Sequence, residues 1–167
     1  RATAPGSSLV GDRGGLEPTL DALFGPDDPG EPDLQRAAAR AALLGRLSVV
    51  AGGPGTGKTR TVARLVAAAH RLADEAGQDV LVGLAAPTGK AAARMTEAVG
   101  HEVERALADG AVSGAVAAAV ATTQATTVHR LLGWAPGVRF RHDASNPLPH
   151  DLVVVDEVSM VSLPLLA

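Results

Sequence analysis

The sequence predicts an α/β fold in which helices flank a parallel sheet, and three observations indicate it. A short apolar run, Leu47–Ala51, leads into a glycine-rich loop and then into an alanine-rich segment of helical character. Two further apolar runs, Asp79–Ala86 and Leu152–Val155, have the nearly continuous hydrophobicity of strands that are buried on both faces. Strands that alternate with helices form right-handed βαβ units, and such sheets bind ligands at the carboxyl ends of their strands.

The amino-terminal region differs in composition from the remainder of the chain. Residues 1–33 carry seven acidic and two basic residues and are rich in Gly and Pro. They are predicted to form a linker or the tail of a preceding domain, with a short helix near Leu20–Phe24. Asp33 is predicted to cap a helix over Leu34–Leu44. Any anionic partner is expected to meet residues 34 onward, where basic residues outnumber acidic ones.

The other elements follow from breakers and periodicity. Helices are expected over Lys58–Ala76, Lys90–Leu107 and Thr126–Leu132. A further strand is expected over Val138–His142, followed by a turn at Asn146-Pro147. Residues 109–122 are of low complexity and are predicted to be helical or poorly specified.

Composition excludes several classes of protein. The 167 residues contain no cysteine, which excludes disulfides, zinc–thiolate sites and thiol catalysis. The sequence has no apolar run of membrane-spanning length and no signal peptide, so we expect a cytoplasmic protein with no membrane partner.

The glycine-rich loop has the pattern G-x-x-x-x-G-K-[ST] of the P-loop, in the expected order of strand, loop and helix. Glycines allow backbone N–H groups to surround a polyphosphate, and the amino end of the following helix adds attraction for anions. Lys58 is predicted to reach the β- and γ-phosphates of ATP, and the Thr59 hydroxyl to ligate Mg²⁺. The residues predicted to bind the nucleotide here are Gly52, Gly53, Pro54, Gly55, Thr56, Gly57, Lys58, Thr59 and Arg60.

An acidic pair ends the last apolar run. Asp156 is predicted to hold Mg²⁺ through a water, and Glu157 to orient and deprotonate the attacking water. Lys58, Asp156 and Glu157 are therefore the predicted catalytic residues. The alternative is an acidic pair that only caps the following helix.

Three further segments specify the kind of P-loop protein: Pro87–Met95, Thr126–Gly133 and Val153–Val161. Together with the P-loop they resemble motifs Ia, Ib, II and I of superfamily 1 DNA helicases. The chain is most similar to the RecD family, the alpha subunits of exodeoxyribonuclease V, over most of residues 20–167. Residues 34–167 would then form part of a first RecA-like lobe, and the sheet would be truncated after the strand that carries Asp156.

The resemblance implies roles for further residues. Gln35 matches the glutamine that reads the adenine edge, although a solvated glutamine in a first helical turn is the alternative. Predicted contacts with single-stranded DNA are Thr88, Gly89, Lys90, Thr127, His129 and Arg130. For His129, the alternative to DNA contact is a purely structural role. Trp134 is suited either to stack on a base or to lie in a core or interface.

The resemblance also implies an activity and partners. The expected function is that of an ATP-dependent, 5′-to-3′ DNA helicase subunit of a RecBCD-type complex in double-strand break repair and recombination. The expected partners are single-stranded DNA and the beta and gamma subunits. Later helicase motifs are absent, so this chain would carry half of the ATP site and little activity alone.

Two other classes of function stay open. One is a P-loop ATPase or kinase that does not act on DNA, and the other is a nucleotide-gated interaction module. A ring-forming ATPase of the AAA+ type shares the loop, but the segments after Pro87 and Thr126 are not its signatures.

Overall fold

The computed structural model describes residues 13–27, 30–53, 55–135, 140–162 and 165. Its helices are α1 (Leu16–Phe24), α2 (Leu34–Leu44), α3 (Lys58–Glu75), α4 (Gly89–Ala108), α5 (Gly114–Ala121) and α6 (Val128–Leu131). Its strands are β1 (Val82–Ala86), β2 (Ala125–Thr127) and β3 (Leu152–Val155). Two short 3₁₀ turns cover Arg13–Gly15 and Val158–Met160. The described residues fall into two compact units: a helical unit within 1–80 and 98–122, and a sheet unit within 81–97 and 123–167.

In the helical unit, α3 is the central element, and α1, α2 and α5 pack against it. The small side chains of α3 allow this close approach, because Ala63, Ala67 and Ala68 are almost completely buried. Leu20 from α1 and Leu43 from α2 complete the apolar core between these helices.

A buried arginine joins α1 to α2. Arg36 is 5% exposed, and its Nη2 donates hydrogen bonds to Glu17 Oε2 at 2.7 Å and to Asp21 Oδ1 at 2.8 Å. Burial alone would lower the pKa of Arg36, but these two carboxylates raise it above its ordinary value. Because the charge is paired and hydrogen-bonded, its burial is compatible with a stable core.

In the sheet unit, three parallel strands lie in the order β2-β1-β3. Leu84 of β1 is opposite Ala125 on one side and Val154 on the other. All five residues of β1 are buried, as expected for the central strand of a parallel sheet. Beside β1, a Cβ on Gly83 would lie 2.9 Å from His150 Cδ2, so only glycine allows this approach. Burial and the nearby His142 lower the pKa of His150, despite the opposing effect of Asp151.

The predicted fold class is confirmed: parallel strands are flanked by helices. Helix α2 and strand β3 have the predicted bounds, and Asp33 accepts hydrogen bonds from the backbone N–H groups of Gln35 and Arg36. Helix α4 extends one residue beyond its prediction at each end, and α5 occupies part of the low-complexity segment.

The predicted strand over Leu47–Ala51 is wrong, because this segment is irregular in the structure. The side chains of Leu47 and Val49 are 86% and 85% exposed. A β-branched apolar run forms a strand only where neighbouring strands pair with it, and no described residue pairs with this segment.

Other boundaries also differ from the predictions. Helix α1 begins at Leu16, four residues before the predicted start, and one face of it is buried. That a domain boundary lies at residue 33 stays a prediction. Strand β1 begins at Val82, not at residue 79. The predicted helix from Thr126 is wrong in its first two residues, which belong to β2. Of the strand predicted over residues 138–142, residues 138 and 139 lie outside the described residues, and residues 140–142 are not extended in a sheet. None of the described helices is both long and apolar enough to cross a membrane.

Candidate nucleotide and nucleic-acid sites

The glycine-rich loop joins α2 to α3 within the helical unit. Gly55 and Gly57 have φ of +78° and +80°, in the left-handed region that side chains with a Cβ rarely adopt. A Cβ on Gly57 would also lie 2.5 Å from Gln35 Nε2. Gly57 is therefore required by its backbone conformation, and it also allows the Gln35 side chain to approach the loop closely. Pro54, also predicted to bind the nucleotide, lies outside the described residues.

Lys58 is turned back toward the loop that precedes it. Its Nζ donates hydrogen bonds to the carbonyl oxygens of Gly52 and Gly53, at 2.5 Å and 2.7 Å. Thr56 Oγ1 donates to Gly53 O at 2.9 Å and tightens the same turn. The loop thus holds a cation with two neutral acceptors, and phosphate oxygens would form stronger, charge-assisted hydrogen bonds with it.

Gln35 lies beside this loop. Its Nε2 donates to Thr56 O at 3.2 Å, while its backbone N–H donates to the capping carboxylate of Asp33 at 2.8 Å. The structure therefore brings the residue predicted to read adenine together with the predicted phosphate loop. Reading of the base itself stays a prediction.

A buried carboxylate anchors the first turns of α3. Glu102 on α4 accepts hydrogen bonds from Arg60 Nε at 2.9 Å and from Arg64 Nε at 2.8 Å. Burial alone would raise the pKa of Glu102, but the two arginines outweigh this effect and lower it below its ordinary value. Sequence reasoning missed Glu102, since 42 residues separate it from Arg60 and no local pattern links them. Arg60, predicted to bind the nucleotide, is thus held by Glu102, and Thr59 lies half-buried in the first turn of α3.

In the sheet unit, Asp156 and Glu157 follow β3 directly. The Asp156 backbone N–H donates to Ala85 O of β1 at 2.9 Å, which fixes the acidic pair at the carboxyl end of the sheet. The Glu157 N–H donates to Asp156 Oδ1 at 2.8 Å. Glu157 has a φ of +50°, which makes it the one non-glycine residue with positive φ in the described part of the chain. Such strain is concentrated at functional sites.

The predicted DNA-contacting segments lie at the same end of the sheet. Ala86, the last residue of β1, is opposite Thr127, the last residue of β2. Thr88 Oγ1 accepts from the Ala91 N–H at 3.2 Å, and Thr127 Oγ1 accepts from the Arg130 N–H at 3.3 Å. Each threonine thus caps the helix that follows its strand. The remaining predicted contacts, all exposed, are Gly89, Lys90, His129 and Arg130.

An open pocket of about 740 Å³ lies beside the second of these segments. It is lined by Thr127, His129, Arg130, Gly133, Trp134 and Arg141. The ring of His129 meets Trp134 edge-on, with centroids 6.3 Å apart, and lies 6.0 Å from the ring of Phe140. Trp134 is 53% exposed, so it is not a core tryptophan within the sheet unit.

Oxygen donors suited to Mg²⁺ are present in each unit. The Thr59 hydroxyl and the Asp156 carboxylate are the hard oxygen ligands that Mg²⁺ prefers, usually with several waters retained. The described residues contain no cluster of three or more His, Cys, Asp or Glu side chains that could hold a metal by itself. Each of these residues fits an ion that takes its other ligands from nucleotide phosphates and water. That both residues share one ion stays a prediction.

Comparison with known proteins identifies the family. The model of a family described as an AAA domain matches residues 35–167. The chain belongs to this family. Membership of this family implies the use of a nucleotide.

The curated relatives indicate which members of this family the chain resembles. The chain is 49% identical to the RecBCD enzyme subunit RecD of Mycobacterium tuberculosis (strain CDC 1551 / Oshkosh) over 151 residues, which are 90% of this chain and 24% of that protein. It is 48% identical to the subunit of the same name from Mycolicibacterium smegmatis, over 92% of the chain and 26% of the relative. It is 41% identical to the ATP-dependent RecD2 DNA helicase of Deinococcus radiodurans, over 70% of the chain and 12% of the relative. The predicted resemblance to the RecD family is confirmed, and the chain spans about a quarter of the length of these two RecD proteins.

Proposed function

We propose that this chain belongs to an ATP-dependent DNA helicase that moves 5′ to 3′ along single-stranded DNA. The helicase would be the RecD-type subunit of a RecBCD-type exodeoxyribonuclease V complex. Its place would be the cytoplasm, where it would serve double-strand break repair and recombination with beta and gamma subunits as partners. The relatives named RecBCD enzyme subunit RecD and RecD2 DNA helicase support this proposal.

One observation carries the proposal: the carboxyl end of one sheet holds both kinds of predicted group. Asp156 is tied to Ala85 of β1, and Thr127 is opposite Ala86 of the same strand. The carboxylates predicted to act in ATP hydrolysis follow β3, and the predicted DNA contacts after β2 are separated from them only by β1. This arrangement suits an enzyme that couples ATP hydrolysis to contact with DNA.

Each residue has a chemical task in this proposal. Lys58 would exchange its two carbonyl partners for β- and γ-phosphate oxygens, and Gln35 would meet the adenine edge. Thr59 and Asp156 would hold magnesium, which neutralises phosphate charge when bound. Glu157 would orient the attacking water and accept its proton, a contribution of about 10²–10⁴-fold in rate.

The DNA contacts would come from the two capped helix starts. Backbone N–H groups at helix amino ends, hydroxyl groups and cations are the usual partners of phosphate oxygens in nucleic acids. Lys90 and Arg130 supply the cations here. Because these contacts involve the backbone and not the bases, they would grip any sequence, as a translocating enzyme requires.

The experiment is a comparison of Glu157→Gln with the unaltered protein, in the full-length protein assembled with its partners. ATP turnover is expected to be stimulated by single-stranded DNA and to fall at least about 100-fold in the variant. Nucleotide binding should be kept, because the removed group acts on water and not on phosphate. Glu104→Gln is the matched control, since that carboxylate is 80% exposed on α4.

The other candidate functions predict different results. Turnover indifferent to DNA would indicate a P-loop ATPase or kinase that does not act on DNA. Full activity of Glu157→Gln would indicate a nucleotide-gated module in which hydrolysis has no role.

A further inference from the structure

The pocket beside β2 has features that the predicted phosphate contacts do not explain. We call it the aromatic pocket, lined by the six residues named above, of which Gly133, Trp134 and Arg141 were not among the predicted DNA contacts. Phosphate binding requires cations and N–H groups, but it does not require an exposed aromatic face.

The aromatic pocket is built from two segments held together by backbone contacts. The His142 N–H donates to Leu132 O at 3.1 Å, which joins the two segments, and the Asn146 side chain donates from Nδ2 to Arg141 O at 2.7 Å within the second segment. Gly133 has a φ of +70°, and a Cβ there would lie 2.6 Å from Arg141 Cβ. The approach of Arg141 to the loop after α6 therefore depends on glycine at position 133.

The indole of Trp134 is held in one orientation. Its backbone N–H donates to His129 O at 2.9 Å, and its ring meets the His129 ring at an interplanar angle of 89°. The two ring planes are thus nearly perpendicular, the geometry of an edge-to-face aromatic pair. Since Trp134 is more than half exposed, a flat ligand can reach it from solvent.

Two cations flank this aromatic surface. Neither Arg130 nor Arg141 has a carboxylate within ion-pair distance among the residues that the structure describes. Unpaired guanidinium groups beside an exposed indole match the two parts of a nucleotide unit, a flat base and an anionic phosphate.

We propose that the aromatic pocket receives one unstacked base of single-stranded DNA. Trp134 stacks on the base, and Arg141, together with Arg130, contacts the phosphates on either side. This inference rests on the proposed function and adds Trp134 and Arg141 to the DNA surface. Stacking of this kind accepts all four bases, because each has a π-face, so it is compatible with movement along any sequence.

The test compares two single strands in the full-length protein. One is an oligothymidylate and the other is a strand of the same length made entirely of abasic sites, which has the same phosphates and no bases. Their dissociation constants are measured by fluorescence anisotropy without nucleotide. Trp134→Ala should weaken binding of the oligothymidylate about tenfold and change binding of the abasic strand less than about twofold. Trp134→Phe should restore most of the lost affinity.

The arginine is tested with the same strands. Arg141→Ala should weaken binding of both strands, because both keep their phosphates, and Arg105→Ala is the control at an exposed arginine of α4. In the unaltered protein, a strand carrying 5-iodouridine should crosslink to the peptide that contains Trp134, which tests the proposal even where a variant fails to fold.

The outcomes separate the two proposals. Equal effects of Trp134→Ala on the two strands, or crosslinks confined to other peptides, would overturn the aromatic pocket as a base site. If the unaltered protein binds neither strand, the proposed helicase function itself is overturned.

Discussion

The candidate functional residues of the two units lie in segments that differ in regularity and burial. In the helical unit, Leu47–Ala51 and the phosphate loop form an exposed, irregular segment between two well-packed helices. In the sheet unit, the acidic pair and the predicted DNA-contact segments follow strands whose central member is completely buried. Both sets nonetheless make hydrogen bonds to nearby residues, at 2.5 Å from Lys58 to Gly52 and at 3.3 Å in the cap at Thr127. Local loop geometry can therefore position candidate functional groups, as at Lys58, even where no sheet pairing is present.

The largest expected difference between these segments is in how much the free energy of unfolding falls when an apolar side chain is truncated. Leu84→Ala removes a residue that is 1% exposed in the central strand, and it should lower the free energy of unfolding by about 3–4 kcal/mol. Val49→Ala, at a position 85% exposed, should change it by less than about 0.5 kcal/mol. Urea unfolding measures both. A loss above about 1 kcal/mol for Val49→Ala would contradict the difference between the two segments, because it would require Leu47–Ala51 to be buried in solution.

The next effect concerns the buried carboxylate behind the phosphate loop. Glu102→Gln leaves Arg64 without its charged partner, and it should destabilise the protein by about 3 kcal/mol at pH 7. The matched control is Glu104→Gln, at an exposed position of the same helix, which should have almost no effect.

The same variant has a pH dependence of known sign. The arginines lower the pKa of Glu102 below its ordinary value of 4.5. Its contribution to stability is therefore complete above pH 4.5 and is lost as the pH falls through the lowered pKa. The difference in unfolding free energy between Glu102→Gln and the unaltered protein should shrink over that range. A constant difference down to the most acidic pH measured would contradict the ion-pair account.

The smallest effect tests the cap that positions Gln35. Asp33→Ala removes the side chain that accepts hydrogen bonds from the N–H groups of Gln35 and Arg36, and it should cost about 1 kcal/mol. Asp33→Asn keeps an acceptor at the same place and should restore most of this loss. Equal losses in the two variants, measured by thermal unfolding, would show that the hydrogen-bond acceptor at position 33 is not what stabilises α2.

The elements that could be predicted from sequence are those with local causes. The Asp33 cap, the alanine-rich face of α3 and the valine run of β3 each act over a few residues, and each was confirmed. Strand β2 was missed because it has three residues and owes its state to pairing with β1, some forty positions away. Leu47–Ala51 was misjudged for the converse reason, since its composition favours a strand that no described partner completes.

The features of the candidate sites also divide into those with local causes, which sequence can predict, and those that depend on packing. The local placement of Lys58 after its glycine turn and of Asp156 after its valine run follows from the motifs themselves, whereas Thr127 lies in β2 and not in the predicted helix. The contacts between Gln35 and the loop, between Glu102 and Arg60, and between Gly133 and Arg141 span 8 to 42 residues, and no local pattern indicates them. Such contacts depend on how helices and loops pack, which composition and periodicity leave open.

The most direct test of the account is titration calorimetry of the full-length protein with ATP and magnesium, compared with Lys58→Ala. The account predicts saturable binding with a stoichiometry of one at this loop, and at least about a tenfold loss of affinity in the variant, because its ammonium group is the predicted phosphate ligand. Absence of binding, or identical affinities for the two proteins, would contradict the assignment of residues 52–59 as the nucleotide site.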